Sequence, residues 1–91
     1  MYLHLGHDTL VKMEDVIGIF DLDTSTIAKN TRSYLARAEK AGDVVSVTTD
    51  LPKTFIVVRD SRRPSSQTVY LSQLSSATLL KRASQMSRYE F

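Results

Sequence analysis

The sequence predicts an α+β fold, a small antiparallel β-sheet with one long amphipathic helix and a short C-terminal helix. Three observations predict it. Short runs of β-branched and aromatic residues recur between turn residues towards both ends of the chain. One stretch near the middle repeats its apolar residues at helical spacing. The chain, at 91 residues, has length for one domain and not for two.

Tyr2-Leu3-His4-Leu5 reads as a first strand, turned by Gly6-His7-Asp8 into a hairpin partner, Thr9-Leu10-Val11-Lys12. Met13-Glu14-Asp15 is a polar break of about one helical turn. Val16–Leu22 is the strongest strand. The long helix is expected from about Ser25 to Ala41, with Thr24, Ser25 and Thr26 offering N-cap hydroxyls and Gly42 placed to end it in a left-handed residue. Its apolar side is Ile27, Thr31, Tyr34, Leu35, Ala38 and Ala41, opposite a basic side carrying Lys29, Arg32, Arg37 and Lys40. Strands follow at Val44–Thr48, Thr54–Arg59 and Thr68–Ser72, joined by loops rich in proline, serine and aspartate. Ser75–Ala83 reads as the short helix, and Ser84–Phe91 as a tail without period that is expected to fray. The domain is therefore expected over residues 1–83.

Side chains alternate along a strand, so Val16, Phe20 and Leu22 are expected on one face and Ile17 and Ile19 on the other. Phe55 and Val57 likewise oppose Ile56 and Val58. Two strands are thus apolar on both faces, and one helix covers only one face. Wet isoleucine and valine side chains forfeit about 25 cal/mol per Å² of apolar surface. Self-association into a homo-oligomer is the economical reading. In the alternative, the hairpin of residues 2–12 wraps across the second face.

Composition narrows the function classes. Apolar residues make up 42% and charged residues 24%, which excludes a disordered chain. There is no cysteine, hence neither disulfides nor thiolate metal ligands. The longest apolar run, Val16–Phe20, is far short of the ~20 residues that cross a bilayer. The segment Met1-Tyr2-Leu3-His4 lacks the features of a signal peptide, so a cytoplasmic location with no membrane partner is expected. His4 and His7 are the only histidines and read as pointing to opposite strand faces, poor geometry for one metal. Neither a nucleophile elbow nor a glycine-rich phosphate loop is present. No enzyme activity, metal or cofactor is expected.

Charge is unevenly placed. Residues 1–23 hold one base, Lys12, against five acids, whereas residues 24–91 hold eleven bases against five acids. The basic part makes nucleic acid a candidate partner, with solvated surface charge as the bland alternative. Arg62-Arg63 with Lys53 is the best cluster for phosphate, since guanidinium forks match phosphate oxygens. If the strand between them pairs antiparallel with both neighbours, the two groups lie at its opposite ends and meet only across a subunit boundary.

Met1-Tyr2-Leu3-His4-Leu5-Gly6, Asp15-Val16-Ile17-Gly18-Ile19-Phe20-Asp21, Leu51-Pro52-Lys53-Thr54-Phe55-Ile56-Val57-Val58 and Val69-Tyr70-Leu71-Ser72 together resemble the extracellular-matrix regulators of Firmicutes, most closely the RemB type. The resemblance spans Met1 to about Ala83. It implies a cytoplasmic regulator of biofilm-matrix gene expression. By analogy with the RemA branch it also implies a LytTR-like fold, assembly into rings, and double-stranded DNA bent or wrapped around the ring. The basic positions of that sister branch fall on Asp15, Leu51 and Pro52, so its DNA contacts do not transfer. His7 stands where the family has a second glycine, in a turn that histidine tolerates. The expectation is an oligomeric DNA-binding transcriptional regulator, with Lys29, Arg32, Arg37, Lys40, Lys53, Arg62 and Arg63 as candidate phosphate contacts. The alternative is a regulator that binds no DNA and acts through its oligomer surface or a sister protein.

Overall fold

Thr54-Phe55-Ile56-Val57-Val58 is apolar enough to be buried on both faces, and it forms an interior strand with its side chains covered from both sides. The computed structural model describes residues 1–22, 29–60, 62–63 and 66–88. In chain order the elements are β1 (Tyr2–Gly6), β2 (Thr9–Lys12), a single 3-10 turn (Met13–Asp15), β3 (Val16–Asp21), α1 (Lys29–Lys40), β4 (Val44–Ser46), β5 (Thr54–Arg59), β6 (Gln67–Ser72) and α2 (Ser76–Arg88). The fold is α+β, with a two-stranded hairpin, β1-β2, and a four-stranded sheet in the order β3-β5-β6-β4.

The hairpin turns as its residues require. Gly6 takes φ +120° and His7 φ +48°, left-handed values that glycine adopts freely and histidine tolerates. The His4 ring nitrogen Nε2 bonds the His7 carbonyl, so the two histidines are held together through main chain, not through both rings. At the end of α1, Gly42 at φ +76° closes a Schellman motif. The Gly42 N–H donates to Glu39 O at 3.1 Å and the Asp43 N–H to Ala38 O at 2.9 Å. The expected start of this helix at residues 25–28, with its caps at 24–26, lies outside the described residues.

The sheet departs from expectation in one pairing. β5 runs antiparallel to β3 and to β6, but β4 runs parallel to β6, so the sheet is mixed. The connection from β4 to β5 crosses the end of β6 instead of turning back beside β4. Val47 N–H donates to Leu71 O at 2.9 Å and Lys53 N–H to Ser72 O at 2.8 Å along this crossing. It also shortens β4 to Val44–Ser46, because Thr48 leaves the ladder: its hydroxyl donates to Gln73 Oε1 at 2.7 Å and accepts the Asp50 N–H.

Two apolar layers form, one on each face of the four-stranded sheet. Phe55, Val57 and Val69 pack beneath α1 with Leu22, Tyr34, Leu35, Ala38, Val44 and Leu71. On the other face, Ile56 and Val58 pack against Leu3, Leu5 and Val11 of the hairpin and Leu79 of α2. The hairpin does wrap over the second face, so a bare sheet face no longer argues for a second copy. Burial of Leu79, and a bond from Arg82 Nη1 to His4 O at 3.2 Å, fasten α2 to the hairpin. The helix expected over Ser75–Ala83 continues to Arg88, as long as the described part of α1, so the contrast of one long and one short helix does not hold among the described residues. Ser84–Arg88, read as frayed tail, is helical.

The alternation expected along β3 is broken by a bulge. Val16 pairs with Val58 but Gly18 with Val57, so one residue is inserted between them. Val16 therefore joins Ile19 on the hairpin side, while Ile17 moves to the α1 side and borders a groove with Phe20, Phe55 and Val57. Gly18 is needed here: a Cβ would stand 2.5 Å from the ring of Phe20, which stacks on Phe55 at a centroid distance of 4.9 Å. No helix among the described residues is long and apolar enough to cross a membrane.

Candidate nucleic-acid interface

The candidate cations divide between the two ends of β5. Lys53 precedes the strand and Arg62 and Arg63 follow it, so the six residues of β5, a span of roughly 20 Å at ~3.3 Å per residue, lie between them. The antiparallel pairing on both sides makes this separation permanent within one subunit. Arg32, Arg37 and Lys40 lie exposed on α1, and Lys29 is its first residue.

The structure brings Arg37 towards the Arg62–Arg63 end. Tyr34 and Arg37 of α1 line a shallow depression with Ser66 and Gln67, the residues that enter β6 after the turn. The Tyr34 hydroxyl donates to Gln67 Oε1 at 2.8 Å, which fixes the helix to that corner. Burial, with the Asp43 carboxylate adding to it, raises the Tyr34 phenol above its ordinary pKa and keeps it a donor.

Asp60 shapes the turn. Its carboxylate accepts the Arg62 N–H at 2.9 Å and lies 3.7 Å from Arg62 Nε and 3.4 Å from Arg63 Nε. The backbone closes around it: Asp60 N–H donates to Ser66 O at 3.0 Å and Arg63 N–H to Asp60 O at 3.1 Å. The Arg62 backbone N–H, more than the arginine charges, holds the Asp60 carboxyl below the ordinary aspartate value. The arginines are aimed but not sequestered, since their side chains remain 91% and 67% exposed. Exposed pairs of this kind are weak, and they leave most of both guanidinium groups open to solvent.

Two further cations stand at the same end and were not among the sequence candidates. Arg59 ends β5 and Lys12 ends β2; both line a cleft with Asp60 and Arg62. Counting charge by segment had assigned Lys12 to the acidic N-terminal stretch. Only the pairing of Val16 with Val58 brings that stretch beside the end of β5. Arg59 Nη2 bonds Asp15 Oδ1 at 3.0 Å. Asp15, a position where the sister branch leads one to expect a base, is buried and employed in fastening the 3-10 turn to β5. Leu51, another such position, is 88% exposed.

The chain matches over residues 2–83 a family described as RemA-like, Extracellular matrix regulatory protein A-like. The chain belongs to the RemA-like family. It is also 35% identical over 83 residues to Extracellular matrix regulatory protein B of Bacillus subtilis (strain 168), a match that covers 91% of this chain and 90% of that protein. The RemA-like match takes in every strand and α1, and ends within α2. A role in extracellular-matrix regulation follows from this membership.

Proposed function

We propose that the protein is an oligomeric, cytoplasmic regulator of extracellular-matrix genes that holds double-stranded DNA by its phosphates. The observation that carries this reading is the gathering of Arg37, Arg62 and Arg63, with Arg59 and Lys12, at one end of the sheet. They come from three different elements, α1, β2 and β5, and the turn after β5, while the neighbouring Asp15 and Asp60 side chains are largely buried. Such contacts position a protein on a duplex and carry no base information, which suits recognition by shape. Lys53, at the far end of β5, joins this surface only from a neighbouring copy. Lys29, Arg32 and Lys40 extend it along α1.

Self-association rests on exposed apolar residues at both edges of the sheet. Ile17 (55% exposed) and Phe20 lie on edge strand β3, and Val45 lies on edge strand β4, with Leu51 in the loop beyond it. Edges with such side chains are prone to pair with another chain.

Replacement of Arg62 and Arg63 by alanine tests the reading. Retention of unrelated duplexes should weaken together, by a similar factor for each, with the fold unchanged because the turn is exposed. Unaltered binding would move the contact elsewhere. The largely exposed Leu51 favours a second reading, a regulator that docks on a sister protein; it prevails if the wild-type oligomer retains no duplex at low salt.

A further inference from the structure

We propose that the cleft between the β1-β2 hairpin and the turn after β5 binds a small phosphorylated ligand with a planar ring, a mononucleotide being the simplest. The cleft has a volume of about 300 Å³, at the lower end of the range for small-ligand sites, ~300–1,000 Å³. It shares Lys12, Arg59 and Arg62 with the DNA reading and adds to them a wall of rings that the DNA reading does not use.

Its walls carry three cations from three places in the chain: Lys12 at the end of β2, Arg59 at the end of β5, and Arg62 in the turn. Its two carboxylates, Asp15 and Asp60, have side chains only 9% and 11% exposed, and each faces an arginine. The anions are thus turned into the wall and the cations outward. Asp15 occupies one nitrogen of Arg59, Nη2, and leaves the other guanidinium donors to a ligand. Lys12 is exposed and has no ion-pair partner among the described residues. A tethered guanidinium beside a free ammonium is an arrangement that recognises phosphate, because the fork is already oriented.

The remaining wall is aromatic and aliphatic. Tyr2, half exposed, and Tyr70 line the cleft with Leu10, Val11 and Val58. A duplex backbone offers phosphates on a convex surface and has no use for these rings. A nucleotide does, since every base has a face that stacks on an aromatic side chain.

Calorimetric titration of the intact protein in about 50 mM salt, with a mononucleotide, inorganic phosphate and the unphosphorylated nucleoside as probes, decides the matter. Saturable binding of the mononucleotide with Kd below about 1 mM is expected, with the other two probes at least about 10-fold weaker. Lys12→Ala and Tyr2→Ala, both at exposed positions, should each weaken the mononucleotide by about 10-fold or more. Arg59→Ala is avoided because it strands Asp15. Absence of saturation, or equal affinity in both variants, overturns the site; phosphate binding as tightly as the nucleotide overturns the role of the rings. Duplex retention separates the two readings: wild-type protein that binds the mononucleotide but retains no duplex sinks only the DNA reading. Tyr2→Ala should weaken the mononucleotide while sparing the duplex, and an equal loss of both overturns the separate site.

Discussion

Asp60 shows how one carboxylate positions the two arginines of the turn after β5. It accepts the Arg62 N–H and lies beside both arginine side chains, and these interactions favour its charged form. Its pKa is lowered on folding, so its contribution is present at pH above the ordinary aspartate value, ~3.9, and is lost as pH falls through the lower folded value. A carboxyl-detected titration by nuclear magnetic resonance should therefore place the Asp60 midpoint below ~3.9. Asp60→Asn should abolish the pH response of the Arg62 amide. A midpoint at or above the ordinary value would mean that the turn is not built around this carboxylate. At the same scale, the bulge between Val16 and Gly18 explains the failed alternation in β3. A period of two is read from sequence only while the ladder is regular, and an inserted residue carries no signature beyond a glycine that packs under Phe20.

Among the elements, those with strong local signals were legible. β5 lies at Thr54–Arg59 as read, the hairpin turns at Gly6-His7-Asp8, and α1 ends at the Gly42 cap. The parallel pairing of β4 with β6 was not legible, because it depends on where the 47–53 connection crosses and not on any strand's own composition. The approach of Arg37 to Ser66 and Gln67 was hidden for the same reason, as was the presence of Lys12 and Arg59 beside Arg62. Besides the apolar packing of Leu3, Leu5 and Val11, a polar contact that no periodicity reveals joins the hairpin to the sheet. The buried Ser72 hydroxyl donates to Leu5 O at 2.6 Å and accepts the Leu74 N–H at 3.1 Å. Ser72→Ala should cost about 1–3 kcal/mol, the range for stranding buried polar partners, and chemical denaturation would measure it. A loss within ~0.5 kcal/mol, typical of a surface change, would show that the hairpin is held by Leu3, Leu5 and Val11 alone.

For the whole molecule, the covered second face changes the argument for assembly without removing it. Exposed apolar side chains remain at both sheet edges: Ile17 and Phe20 on β3, Val45 on β4 and Leu51 beyond it. Light scattering at micromolar concentration should report a mass well above the monomer's 10.2 kDa. A clean monomer would contradict the proposed oligomer and leave Lys53 isolated from the turn arginines. The central claim concerns phosphate contact, and the salt dependence of duplex binding tests it most directly. Binding of the wild-type protein, followed from about 50 to 200 mM salt, should weaken with a slope of log K against log[salt] near −0.9 for each phosphate contacted. With Arg37, Arg62 and Arg63 engaged in several subunits, that slope should be steep and nearly the same for unrelated duplexes. A flat dependence, or no retention at the low-salt end, would contradict the account.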